Sequence, residues 1–195
     1  MTCAAPEPRG DQEGVVRAPR PWGHRGPGTV DEERHLRVPV RTAYDRWTQY
    51  ESFPRFARHV HRVEQVRPAV TRWFVRLGPL RHEFHAEVVE QHPDTLVAWH
   101  TLGSRVVHEG EATFRATGPD TCVVTLTLRV PCPPVVPRRA AEALLRPIVS
   151  AELDRFRTFV ETVGDVGEAW RGTIHRGRVE HVEKEPPAHP GWVHG

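Results

Sequence analysis

The stretch from Pro137 to Val163 constrains this chain most, because it reads as one long amphipathic helix. At about 100° per residue, Ala141, Leu144, Leu145, Ile148, Val149, Leu153, Phe156, Phe159, Val160 and Val163 fall on one broad arc. Arg139, Arg146, Ser150, Asp154, Arg157, Thr158 and Glu161 take the other side, which suits water. Two residues interrupt the pattern. Pro147 lacks an amide hydrogen and crowds the preceding turn, so a kink is expected there, or a short helix handing over to a longer one. Glu152 falls near the middle of the apolar arc, where a carboxylate needs a partner or access to water. A helix this apolar requires a large apolar surface to lie on.

The preceding residues supply that surface. His35 to Val40 alternates like a strand, with Leu36, Val38 and Val40 on one face and Pro39 marking a strand end or edge. Thr42 is placed to cap a short helix carrying Ala43, Tyr44 and Trp47. Ser52-Phe53-Pro54 opens a second, brief helix carrying Phe53 and Phe56. Strand-like runs follow at His61–Val66, Thr71–Leu77, His82–Gln91, Leu96–Leu102, Val106–Thr117 and Thr121–Val130. Gly78-Pro79, His92-Pro93-Asp94, Gly103-Ser104 and Gly118-Pro119-Asp120 supply turns between them. The short links favour antiparallel meandering. The expected class is therefore α+β: a seven-stranded curved antiparallel sheet, two short helices after the first strand, and a long C-terminal helix.

Composition sets the limits of this domain. The chain has 195 residues, enough for one domain and two tails. Five prolines and five glycines fall within the first 28 residues, with little to bury, so residues 1–33 are expected to be a disordered tail. Residues 34–163 form the expected domain. Residues 164–195 are Gly-, His- and charge-rich and are expected to be mostly disordered, with the Trp170 stretch as a candidate to fold back. Formal net charge is +2, from 27 basic and 25 acidic residues, and Lys184 is the only lysine. The arginines are interleaved with acids and form no dense basic run, so nucleic acid is not an expected partner; GC-rich bacterial codon usage also produces such an arginine bias. Cys3, Cys122 and Cys132 lack the spacing of a disulfide framework or a zinc site. No run approaches the ~18 apolar residues of a membrane span. A soluble cytoplasmic protein, a monomer or weak dimer without a cofactor, is expected.

One helix cannot fill the concave side of a sheet that size, so a cavity is expected between them. Trp73, Phe84, Trp99, Phe114, Leu126 and Phe156 fall on the faces assigned to the concave side, with Leu145 and Ile148 facing them from the helix. Trp47, Phe53 and Phe56 read as packing of the helical corner. Glu152 is a candidate general acid or base, or an anchor for a ligand hydroxyl; the alternative is a carboxylate paired with an arginine or reaching the cavity mouth. His108, sharing a face with Ala112 and Phe114, is a second candidate. His59 and His61 point the same way with no carboxylate obviously near, while His82 and His85 face opposite sides, so no metal site is expected. Gly-x-Ser-x-Gly and phosphate-loop motifs are absent.

The order strand, two short helices, six strands, long helix resembles the helix-grip fold of the START-like superfamily (SRPBCC). Within it, the polyketide cyclase/dehydrase and coenzyme-Q-binding START group is the most similar. The residues carrying the resemblance are Val38-Pro39-Val40 leading into Trp47, Tyr50-Glu51-Ser52-Phe53-Pro54-Arg55-Phe56, and Val60 to Val66. Further on they are Glu90-Gln91-His92-Pro93, Ala98-Trp99, Gly110 to Phe114, Thr121 to Leu128 and Leu153-Asp154-Arg155-Phe156. The resemblance implies binding of a hydrophobic or aromatic small molecule, a lipid or quinone among them, between sheet and helix. It equally admits an aromatic polyketide cyclase/dehydratase, in which Glu152, His108 or an arginine would move protons.

Overall fold

A computed structural model describes residues 28–103, 107–131, 135–163 and 170–182. Strand β1 spans Gly28–Leu36, helix α1 Val40–Thr48, and a 3₁₀ turn Tyr50–Arg55. Six strands follow: β2 (Val60–Arg67), β3 (Val70–Leu77), β4 (Leu80–His92), β5 (Leu96–Leu102), β6 (Glu109–Gly118) and β7 (Thr121–Val130). Helix α2 covers Arg138–Val163, and a hairpin of β8 (Gly172–His175) and β9 (Arg178–Val182) ends the described chain.

The sheet is antiparallel, in the order β1-β7-β6-β5-β4-β3-β2, with β8 added beside β4 and β9 beside β8. It therefore has nine strands, the expected seven plus the hairpin. The hairpin lies within residues 164–195, the segment expected to be mostly disordered. It is held by register pairs Glu90↔His175 and Gln91↔Ile174, by fully buried Ile174, and by the buried Arg171. Arg171 donates to Asp45 at 2.5 Å and to Asp94 at 2.6 Å, with its guanidinium over the Tyr44 ring. The Trp170 stretch does fold back. At the other end, the expected tail boundary at residue 33 falls inside β1, which pairs with β7 from Gly28↔Val130 to Leu36↔Cys122. Its charges misled because they have distant partners: Arg34 holds Asp154 at 2.8 Å, and Glu32 takes Arg146 at 2.7 Å.

Helix α1 begins on Pro39, whose carbonyl accepts from the Ala43 amide at 3.2 Å, with no side-chain cap. Thr42, expected as the cap, is instead buried inside the helix, because proline already fixes the entry φ. Ser52 likewise lies within the 3₁₀ turn, not at its head. Helix α2 runs through Pro147 as one helix, not as two. Pro147 and Ala143 are both exposed, so the carbonyl that loses its partner is left where water reaches it. Only the later part of its arc is deeply buried, at Val149, Leu153, Phe156 and Val160. Leu144 remains 70% exposed. The core joins these residues to Leu36, Ala43, Tyr44, Val97, Ala112, Phe114, Cys122 and Val124. Burial pushes the Cys122 thiol up to about 11, so it serves as a small apolar side chain.

Candidate functional site

Between the concave face and α2 lies a cavity of about 280 Å³. Alternation along the strands builds the sheet wall: Thr71, Trp73 and Val75 from β3, Phe84, Ala86 and Val88 from β4, Val97 and Trp99 from β5, Leu126 and Leu128 from β7. The i, i+4 stripe of α2 supplies Ile148, Val149, Glu152, Leu153 and Phe156. The helical corner closes one end with Trp47, Tyr50, Phe53 and Phe56.

Of the residues that the sequence suggested, Trp73, Phe84, Trp99, His108, Leu126, Ile148, Glu152 and Phe156 line this space. Phe114 does not. It is 4% exposed and packs edge-on behind the wall, against Tyr44 at 5.5 Å and Trp47 at 6.0 Å between ring centroids. Leu145 does not either, because the helix wall begins at Ile148. The corner aromatics, read from sequence as packing, are packing and wall together. Trp47 meets Phe156 edge-on at 5.0 Å, and Phe53 meets Trp73 edge-on at 5.0 Å. Such T-shaped pairs set ring against ring in fixed orientations.

The position of Trp99 depends on a glycine. Trp99 stands opposite Gly110 in the β5–β6 ladder, and a Cβ on Gly110 would lie 2.6 Å from Trp99 Cη2 and nearer to two other ring atoms. The bare backbone lets the indole lie flat across β6.

Polar atoms on the wall are few. Trp73 Nε1–H donates to Thr71 Oγ1 at 2.7 Å. The Tyr50 hydroxyl is buried without a hydrogen-bond partner among the described residues, and burial raises its pKa, so the phenol stays neutral. His108 sets its ring edge-on to Phe84 at 5.1 Å. Glu152 meets both arms of its alternative reading at once. It pairs with Arg155 at 3.1 Å, accepts the Arg58 amide at 3.1 Å, and lies 2.7 Å from His59 Nδ1. His59 and Glu152 keep 32% and 21% of their side chains exposed while lining the cavity, which places its mouth beside them. The carboxylate missing from the His59 neighbourhood in sequence is thus Glu152, 93 positions away. No spacing rule could have found that pair. Among the described residues, no group of three or more His, Cys, Asp or Glu is arranged to hold a metal ion, and no helix is long and apolar enough to cross a membrane.

A curled antiparallel sheet gripping one long helix, with an aromatic-lined cavity between them, defines a helix-grip protein of the START type. The family model described as "Polyketide cyclase / dehydrase and lipid transport" matches residues 36–157, and the chain belongs to that family. Among solved structures, a START superfamily protein from Mycobacterium smegmatis is similar at a TM-score of 0.64 and 14% identity, covering 70% of this chain and 99% of that one. The Zhui aromatase/cyclase from Streptomyces sp. R1128 is similar at a TM-score of 0.59 and 14% identity, covering 72% and 98%. Norcoclaurine synthase from Thalictrum flavum is similar at 0.56 and 12%, covering 71% and 88%. At these identities the likeness concerns the fold. In sequence, 44 residues are 48% identical to an uncharacterized 17.2 kDa protein of Streptomyces lincolnensis, a match spanning 23% of this chain and 29% of that protein.

Proposed function

We propose that this protein binds a hydrophobic or aromatic small molecule in the cavity between its sheet and α2. The observation that carries the reading is the wall itself: a 280 Å³ space bounded by three tryptophans and four phenylalanines from sheet, corner and helix, with polar atoms confined to a few positions. A pocket of this kind binds by excluding water from apolar surface, at roughly 25 cal/mol per Å² buried. The volume sits just under the ~300–1,000 Å³ usual for drug-sized ligands, which suits a modest aromatic body or a folded alkyl chain. A quinone, a lipid chain and an aromatic polyketide all meet that description.

The test is a fluorescence titration with the neutral dye N-phenyl-1-naphthylamine, followed by native mass spectrometry of freshly purified protein. Saturable dye binding, competed by whatever small molecule is released on denaturation, is the expected result. Protein that is reproducibly empty and leaves the dye dark would overturn the reading.

One observation favours a second reading, cyclisation of a poly-β-ketone. The His59–Glu152 pair and the His108 ring all line the cavity, giving groups able to take and return a proton near a bound ketone. In that case Glu152→Gln and His108→Ala would each slow product formation by about 10²-fold or more. Unchanged rates, or no product from the unaltered protein, would remove the enzyme from consideration.

A further inference from the structure

Glu152 is the carboxylate that the sequence put forward as an anchor for a ligand hydroxyl, but the fold commits it elsewhere. Its Oε1 lies 2.7 Å from His59 Nδ1 and 3.1 Å from Arg155, and its Oε2 accepts the Arg58 amide at 3.1 Å. Most of the roughly four lone-pair positions of a carboxylate are therefore in use. The consequence falls on His59. A carboxylate beside a guanidinium only accepts, so the neutral imidazole carries its proton on Nδ1 and keeps a lone pair on Nε2. Nε2 has no hydrogen-bond partner among the described residues. The ring is held where it stands. The His59 carbonyl accepts the Arg76 amide at 2.8 Å, and the Ala57 amide donates to the Phe53 carbonyl at 2.8 Å. Phe56 meets Phe156 and Phe159 of α2 at 5.4 and 5.1 Å between ring centroids, which ties this loop to the helix. His59 thus presents a fixed acceptor at the mouth of an apolar cavity. Deeper in the wall, Thr71 Oγ1 receives the Trp73 indole N–H and donates to the Ala86 carbonyl at 3.4 Å, while the Tyr50 hydroxyl oxygen is buried.

We propose that the ligand of this cavity carries a phenolic or enolic hydroxyl that donates to His59 Nε2, with its apolar body among Trp73, Phe84 and Trp99. The inference rests on the cavity reading and narrows it from any apolar molecule to a hydroxyl donor. Glu152 serves by fixing the tautomer, and its charge behind Nδ1–H strengthens Nε2 as an acceptor. Selection follows because an analogue without a donor covers the mouth and leaves Nε2 unpaired.

The experiment titrates the full chain calorimetrically with 1-naphthol and with its methyl ether, 1-methoxynaphthalene, at about pH 8, above the usual histidine range. The two share a ring system, and only the first donates a hydrogen bond. 1-Naphthol is expected to bind about tenfold more tightly. H59F is expected to erase that advantage while still binding the ether, which also shows that the variant is folded. Side-chain nitrogen NMR of the unaltered protein tests the same point without a substitution. It is expected to show His59 protonated on Nδ1, with the Nε2 signal moving far more on addition of 1-naphthol than of the ether. Equal or tighter binding of the ether by the unaltered protein, an advantage that survives in H59F, or a His59 protonated on Nε2 overturns the hydroxyl site and leaves the cavity reading standing. Failure of both naphthalenes and of N-phenyl-1-naphthylamine to bind removes the cavity reading and the inference with it.

Discussion

The methyl group that Gly110 lacks offers the sharpest probe of the cavity. In Gly110→Ala the new Cβ would meet Trp99 Cη2 at 2.6 Å and two further ring atoms more closely, whereas ordinary contact begins at 3.4 Å. The indole must therefore retreat by about 1 Å or more. The backbone of β6 cannot yield easily, since Gly110 is paired on one side to Trp99 and on the other to Leu128. The open side of Trp99 is the cavity, so the ring swings inward, toward Trp47 at 6.5 Å between centroids. Because that space is available, the stability cost should lie at the lower end of overpacking, about 1–2 kcal/mol. Binding suffers more, since the ring occupies volume that a ligand would fill; N-phenyl-1-naphthylamine affinity should drop by about tenfold, or about 1.4 kcal/mol. Urea unfolding and dye titration on the same preparation measure the two effects separately. A Gly110→Ala protein with lowered stability but unchanged dye affinity would refute the inward swing. One with neither changed would refute the close approach of Trp99 to β6.

Two further outcomes concern stability. Arg171→Ala should cost about 3–5 kcal/mol in urea unfolding, because it leaves the buried Asp45 carboxylate with only the more distant, largely exposed Arg41 at 3.7 Å; Asp45, whose pKa burial raises despite Arg171, would then take up its proton more readily. A loss below 1 kcal/mol would mean that the β8–β9 hairpin is not held by this pair. Stability should also fall as pH drops through the carboxylate range. The Arg34 hydrogen bond holds Asp154 below its ordinary 3.8, and the Arg37 amide holds Glu161 below its ordinary 4.5. A carboxylate depressed in the folded state stabilises fully above its unfolded pKa, so this contribution is lost as pH falls below about 4.5. Arg34→Gln should flatten that acid slope in a pH series of thermal melts, and an unaltered slope would contradict the assignment.

The order of elements was legible because turns and alternation are local. Gly78-Pro79 and Gly118-Pro119-Asp120 mark hairpins, and Phe84, Ala86 and Val88 alternate onto one face whatever the rest of the chain does. The two ends were not legible, for a common reason. Asp31 to Arg34 reads as solvated charge until Arg146 and Asp154 arrive from α2. The β8–β9 hairpin is polar and short until Arg171 meets Asp45 and Asp94. In the site, the apolar wall followed from periodicity, but the His59–Glu152 pair joins residues 93 positions apart and leaves no trace in spacing. Phe114 and Leu145 show the limit of periodicity even where it works. Facing inward is a property of one strand or helix, whereas lining a cavity depends on what stands in front.

That distinction bears on why the space exists at all. A dry void of 280 Å³ would cost roughly 7 kcal/mol at about 24 cal/mol per Å³, a large share of the 5–15 kcal/mol that holds a domain folded. Larger side chains at Ala86, Val88 or Val97 could have filled it, as Phe114 and Tyr44 fill the core next door. The wall is instead braced against collapse: the edge-on contacts of Trp47 with Phe156 and of Phe53 with Trp73 fix the corner to helix and sheet without crossing the gap. Gly110 serves the same end by letting Trp99 lie back against β6. A fold that braces an expensive apolar volume open is stabilised by whatever fills it, since a ligand binding only the folded state adds RT ln(1 + [L]/Kd) to its stability. Occupancy and folding are then one equilibrium.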